Sequence, residues 1–466
     1  MNRSLTTALI SGIVFPLQER LKRHDSVGRR RELERTQWFP SSALEAFRVE
    51  RLRTFLAAIG REVPWYRELF RKLAFDPAGI DSLAQLDALP TLSKADIRQN
   101  ADAMIGAGAG PLKRYNTGGS SGEPLIFYMG RDRVSHDVAA KWRATRWWGV
   151  DIGDPEVVVW GSPIELSSQD RARAFRDRLL RSHLLPAFDM SPKNLERFVA
   201  DIRRIRPRML FGYPSALARI AGHARDHGHA MDDLGIRVAF VTSERLYDHQ
   251  RASIEQVFGC RVANGYGGRD AGFIAHECPE GGMHISAEDI VVEILDECGR
   301  PLGPGAAGEV VVTHTATRGF PFVRYRTGDV AVLDEGACAC GRSLPRLARI
   351  DGRSTDFVVA EDGTVMHGLA LIYTVRDLPG VAQFKIVQHD LRRTEVQIVA
   401  QASFDAKAER RLVEGFRARL GQGVVVEVNR VTSIATESSG KFRYVVSRVP
   451  TIARGTSIES DVLSTG

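Results

Sequence analysis

Tyr115-Asn116-Thr117-Gly118-Gly119-Ser120-Ser121-Gly122-Glu123-Pro124 sets three glycines and three hydroxyl residues in the six positions 117–122. Such a stretch turns easily, and its backbone N–H groups can converge on an anion, with hydroxyls as further donors and little side-chain bulk in the way. It reads either as a phosphate cradle or as a plain Gly/Ser surface turn. No lysine follows its last glycine, so the P-loop NTPase pattern is not met.

Downstream of this loop the pattern predicts a strand at 125–128 and a helix over 132–149, whose Trp142, Trp147 and Trp148 read as core. Strands are expected at 157–160, 209–211, 238–241 and 261–263, separated by helix-length segments such as 193–205, 214–227 and 247–258. That alternation signals an α/β domain with a mostly parallel sheet, in which ligands bind beyond the carboxyl ends of the strands. From Ile285 the texture changes to short β elements at 289–295, 308–314 and 329–333, a small β-rich subdomain of about 285–350 closing one side of the site. Residues 357–449 read as a compact α+β module with strands at 383–388, 394–401 and 424–430 and a helix at 405–420. Upstream, residues 1–100 read as helical, with Ser93 placed to cap a helix beginning at Lys94. The expected division is a large N-terminal domain, 1–352, a small mobile C-terminal domain, 353–449, and a patternless, disordered tail, 450–466.

Further stretches follow the glycine-rich loop in a fixed order: Gly212-Tyr213-Pro214-Ser215, Thr242-Ser243-Glu244, Tyr266-Gly267-Gly268-Arg269-Asp270, Tyr325-Arg326-Thr327-Gly328-Asp329, Gly352-Arg353 with Asp356, and Ser439-Gly440-Lys441. This set resembles the motifs of adenylate-forming, AMP-binding ligases, and most closely the branch holding phenylacetate-CoA ligases and CapK-like proteins. The resemblance runs from about Val63 to about Val449.

The resemblance implies an ATP- and Mg²⁺-dependent enzyme that activates a carboxylic acid as acyl-AMP and passes the acyl group to coenzyme A. Thr117, Gly118, Gly119, Ser120, Ser121, Gly122 and Glu123 would then hold phosphates, with Ser243, Glu244, Tyr266, Gly267, Asp329 and Arg353 completing the nucleotide site. Asp329 would take the ribose hydroxyls. Asp270 stands where the family usually carries a glutamate on magnesium; it is one methylene shorter but still a hard oxygen ligand. Lys441 would reach the α-phosphate and the substrate carboxylate, and Asp356 would be the hinge that lets the small domain bring it there.

Cys338-Ala339-Cys340 is a tight dithiol turn. With Cys278 and His284, or else His276, it offers three thiolates and one imidazole, a set suited to structural zinc. The competing account is reduced, buried thiols. CapK-like relatives tend to keep this Cys and His, which favours His284. Five cysteines are an odd number on a long chain with no credible signal peptide, and this favours a reducing cytoplasm.

Hydrophobic residues at 43% and charged residues at 26% argue against disorder and against a membrane protein. No apolar run reaches the roughly 18 residues of a spanning helix. The apolar start, residues 5–17, reads as a docked or peripheral helix. The net charge of +7 invites a nucleic-acid reading, but more than half of the excess lies in the first 35 residues, without interleaved aromatics for stacking. That segment reads as a solvated basic arm, with contact to an anionic membrane or partner surface as the other expectation. No nucleic-acid partner is expected. Alternatives to the CoA ligase are adenylation with transfer to an amine or hydroxyl, and a non-catalytic nucleotide-binding descendant. Trp160, Tyr213, Phe240 and Tyr266 lie near the motifs, where they would suit a flat aromatic acid or serve as core.

Overall fold

The computed structural model describes residues 4–116, 125–160, 176–187, 190–296, 298–353, 357–362, 365–367, 369–376, 378–434 and 443–449. At its centre is a mixed sheet of 11 strands. Its parallel half runs Arg261–Gly268, Val238–Thr242, Met209–Gly212, Glu156–Trp160, Ser182–Pro186, in that spatial order. Met209–Gly212 and Val238–Thr242 are buried at every position, which is why they read as unbroken apolar runs rather than as alternating ones. The helices Pro192–Ile205, Pro214–Asp226 and Asp248–Phe258 pack on this half through Phe198, Leu217, Ile220, Ile254 and Phe258.

The antiparallel strands expected from residue 285 onward continue the same sheet. Beyond Arg261–Gly268 come Gly272–Glu277, Met283–Ile285, Arg346–Arg353, Tyr325–Leu333, Ala307–His314 and Ile290–Leu295. The helices Ser41–Glu62 and Pro64–Lys72 cover this half with Leu52, Phe55, Leu56, Ile59 and Tyr66 in one apolar cluster. Ser93 caps the helix Lys94–Asn100 as the sequence predicts, its side chain accepting from Asp96 N while the Asp96 carboxylate accepts from Ser93 N.

The smaller C-terminal β-rich domain is a four-stranded sheet, ordered Val425–Arg430, Arg393–Ala400, Val381–Asp390, Val445–Ser447. Helix Ala406–Leu420 buries Leu412, Phe416 and Leu420 against it, and Asp405 caps that helix by accepting from Lys407 N and Ala408 N.

The basic segment near the start is not a free arm. Residues Ser26–Thr36 form a helix that lies along Arg131–Trp147, with Leu33 against Ala139 and Ala140 and Arg30 over the Trp142 ring. Asp25 N donates to Ser135 Oγ at 3.0 Å. Before it, residues 5–21 are one continuous helix interrupted by a π turn at Ile10–Val14. No helix among the described residues is long and apolar enough to cross a membrane.

Candidate active site and metal centre

A cleft of about 790 Å³ opens at the carboxyl ends of the parallel strands, where an α/β sheet places its ligands. Ser243, Glu244, Tyr266, Gly267, Asp270 and Asp329 all line it, so motifs far apart in sequence meet in one place. Ser243 directly follows Val238–Thr242 and has a left-handed backbone, φ +70°. A non-glycine residue there costs about 1–2 kcal/mol, a strain that concentrates at functional positions. Glu244 Oε2 accepts from Ser215 N at 3.2 Å and so ties this loop to the start of helix Pro214–Asp226.

Two of the carboxylates that line the cleft, Asp329 and Asp270, are each oriented by a tyrosine. Tyr266 Oη donates to Asp329 Oδ2 at 2.8 Å, and burial with the Asp329 charge beside it pushes the phenol well above its ordinary pKa, so it stays a donor. Asp329 N in turn donates to Thr327 Oγ1 at 3.1 Å. On the second carboxylate, Tyr325 Oη donates to Asp270 Oδ2 at 2.7 Å and Ala271 N donates to Oδ1 at 3.1 Å. Gly267 must be glycine for a close approach: a Cβ there would meet the Gly272 carbonyl oxygen at 2.1 Å, on the paired strand.

Sequence reasoning did not find what lies beneath Asp270. The buried Arg133 donates to the carbonyls of Asp270 and Arg269 at 3.1 and 3.2 Å, and to both oxygens of Asp137 at 3.0 Å. Burial alone would raise the Asp137 carboxyl, but Arg133 and His136 outweigh it and hold it below the usual carboxylate range. Arg133 and Asp137 are one helical turn apart, and that i, i+4 pairing is the only sequence signal they carry.

The aromatic wall differs from the expectation in one member. Trp160 stacks on Tyr213 at 4.4 Å between ring centroids, and both line the cleft. Phe240 is fully buried beneath Phe211, and Phe211 is the ring that lines the cleft, with Lys141 Nζ 3.9 Å from its centroid. Phe240 therefore belongs to the core: its strand is the more central, covered on both faces. From the C-terminal domain, Ile372, Arg443, Tyr444 and Val445 reach the same cleft, and Tyr444 meets Tyr247 edge-on at 5.3 Å. Arg353 ends the strand Arg346–Arg353, in register with Asp329. The loop Thr117–Glu123, the hinge residue Asp356 and Lys441 lie outside the described residues.

A second constellation stands at the turns joining the antiparallel strands. Cys278, His284, Cys338 and Cys340 bring one ligand atom each within 4.8 Å of all the others. Cys278 Sγ and Cys338 Sγ are 3.7 Å apart, and His284 Nε2 is 3.2 Å from Cys340 Sγ. His284 Nδ1 lies 3.1 Å from the Leu344 carbonyl oxygen, so Nδ1 carries the proton and Nε2 is left to face the sulfurs. Burial lowers the His284 pKa to about 4 and raises that of the Cys278 thiol to about 12. Gly282 leaves room for the set: a Cβ there would meet Cys338 Sγ at 2.7 Å. His276 is not in the cluster, its ring stacking instead on Phe273.

Comparison with known proteins agrees with this architecture. Residues 180–318 match the AMP-binding enzyme family, and residues 358–448 match the CapK C-terminal domain. Protein CapK of Staphylococcus aureus is 25% identical over 404 residues, covering 86% of this chain and 88% of its own. A phenylacetate-coenzyme A ligase of Thermus thermophilus is 28% identical over 334 residues, covering 69% of this chain and 72% of its own. Among solved structures, 2-hydroxyisobutyryl-CoA ligase in its postadenylation state superposes with a TM-score of 0.72 at 20% identity, covering 89% of this chain and 91% of that one. That likeness is one of fold.

The fold and its two matched domains support the adenylate-forming ligase superfamily. Protein CapK and the phenylacetate-CoA ligases are the curated relatives it resembles, at 25–28% identity.

Proposed function

We propose that this enzyme couples a carboxylic acid to AMP and then passes the acyl group to coenzyme A. The observation that carries the reading is the pair of tyrosine-oriented carboxylates, Asp270 and Asp329, facing one cleft at the carboxyl ends of the strands. In the first step a carboxylate oxygen attacks the α-phosphorus of ATP, and pyrophosphate leaves with the electron pair of the broken P–O bond. Asp329 accepts from the ribose hydroxyls. Asp270 offers an oxygen to Mg²⁺, which offsets charge on the phosphates. Thr117–Glu123 cradle the phosphates, Ser243, Glu244, Gly267 and Arg353 complete the nucleotide site, and Lys441 meets the charge building at the α-phosphate. In the second step a thiolate attacks the acyl carbon and AMP departs.

A division into an N-terminal domain, 1–352, and a C-terminal domain, 353–449, hinged at Asp356, lets Lys441 serve the first step and withdraw for the second. Cys278, His284, Cys338 and Cys340 fit structural zinc by donor type, proximity and the orientation of His284. The wall of Trp160, Phe211 and Tyr213 makes aryl acids the first candidates. A cytoplasmic location accords with five cysteines of which none is in a disulfide.

A second reading, transfer to an amine or hydroxyl, rests on the likeness to CapK, which in sequence covers 86% of the chain against 69% for the phenylacetate-coenzyme A ligase of Thermus thermophilus. Carboxylate-dependent ATP–pyrophosphate exchange across aryl, fatty and amino acids tests the adenylation step. Exchange with none of them would leave a non-catalytic nucleotide binder. Thioester formation from purified acyl-AMP and coenzyme A separates the two acceptors.

A further inference from the structure

The helix over residues 5–21 rests on the body of the protein through one face. Ser4 caps it, accepting from Thr7 N at 3.1 Å, and Thr7 Oγ1 donates to Asp154 Oδ1 at 2.9 Å. Ile10 is buried close to Gly153, and Phe15 meets Trp142 edge-on at 5.1 Å. Glu19, the one acid between residues 4 and 24, is buried and accepts from Ser26 Oγ and Lys22 Nζ.

The other face has the opposite character. Leu5, Leu9, Ile13, Leu17 and Leu21 recur at every fourth position and are 91%, 52%, 61%, 57% and 78% exposed. In a regular α-helix steps of four drift by about 40° each, enough to wind such a row halfway round the barrel. The wider π turn at Ile10–Val14 takes back part of that drift and keeps the five side chains together, the kind of use to which π turns are put at functional sites. Exposed apolar residues scattered singly need no explanation, but five on one helix face form a patch. Arg20, Lys22 and Arg23 are exposed at the end of this helix, and among the described residues neither Arg20 nor Arg23 is in an ion pair with a carboxylate.

We propose that this face docks on an anionic lipid surface, the helix lying in the plane of the interface with its leucines among the acyl chains and Arg20, Lys22 and Arg23 at the headgroups. The charge decides the occupant. A second copy of the same helix would bring the same cations and no exposed acid, because Glu19 is turned inward onto Lys22, whereas anionic headgroups complement Arg20 and Arg23. The helix is too short and too polar at Gln18, Glu19 and Arg20 to span, so it would bind peripherally.

The test uses the full chain and co-sedimentation with mixed phosphatidylglycerol–phosphatidylcholine vesicles, against vesicles of phosphatidylcholine alone and against raised salt. Binding is expected to the anionic vesicles, weakened by salt, and reduced about ten-fold or more in Leu9→Ser/Leu17→Ser and in Arg20→Ala/Arg23→Ala. These positions are exposed, so melting temperatures should match the parent's and show that the variants fold. Equal binding to neutral vesicles, or parent-like binding by both variants, would overturn the proposal. So would a two-chain mass in solution that reverts to one chain in Leu9→Ser/Leu17→Ser, which would give the face to a second copy.

Discussion

The hydroxyl of Tyr325 is held 2.7 Å from Asp270 Oδ2, and the ring behind it is wholly buried, its centroid 4.9 Å from that of Phe322. Asp270 is thus aimed at the cleft by a group that cannot swing away. For the proposed magnesium role this would offset part of what the shorter side chain loses relative to glutamate, since a rigid ligand needs less ordering when a cation arrives.

Removing that donor should loosen Asp270 without unfolding the site. Tyr325→Phe is expected to slow adenylation about ten-fold, the scale of one hydrogen bond to a charged group. Asp270→Asn should raise the Mg²⁺ concentration needed for half-maximal exchange, while Asp270→Glu should retain activity. Magnesium titrations of ATP–pyrophosphate exchange check both. An unaltered magnesium requirement in Asp270→Asn would remove Asp270 from the metal.

Purified protein is expected to contain about one zinc per chain by elemental analysis, and Cys338→Ser to lower both zinc content and melting temperature. Zinc-free protein of full stability would refute this.

His314 sets an acid limit. Burial, with Arg133 nearby, holds its pKa well below the ordinary histidine value, so the native state keeps it neutral while the unfolded chain takes up a proton below about pH 6.5. The stability it contributes is present above that pH and is lost as pH falls. Melting temperatures should therefore drop from about pH 7 towards about pH 5, and His314→Gln should flatten the slope. Identical slopes in parent and variant would assign the effect elsewhere.

Lys441→Ala should slow acyl-AMP formation by roughly 10²-fold, the cost of losing one oxyanion donor. The same variant, given acyl-AMP, should still form thioester at near the parent rate. Asp356→Pro should do the reverse, because fixing φ near −65° restricts the proposed hinge. Equal damage to both steps by Lys441→Ala would make the lysine structural.

Much of the scaffold could be read directly. Val238–Thr242 is an apolar run because both faces are covered, and Ser93 sits where a cap is needed. The grouping of Cys278, His284, Cys338 and Cys340 was also legible, though the choice of His284 over His276 leaned on family likeness rather than on spacing. What could not be read depended on which strand lies beside which. Tyr325 reaches Asp270 only because the sheet folds back through Arg346–Arg353 and Met283–Ile285, and no local pattern encodes that order. Phe211 and Phe240 are alike in sequence, and only their depth in the sheet separates wall from core. Arg133 looked like one more charge on a helix. Its burial follows from the carbonyls of Arg269 and Asp270 that it satisfies.

Asp270 is held from both directions along the chain: its carbonyl by Arg133, 137 positions earlier, and its carboxylate by Tyr325, 55 positions later. Nothing local can pre-form such a centre, since loop closure over those spans must precede any reward from the contacts. During synthesis the Asp270 carboxylate therefore has to wait for the Tyr325 strand before it is aimed. On refolding from denaturant, helical signal and burial of tryptophan should return before exchange activity does. Activity that reappears together with the earliest structure would mean that the site assembles by another order.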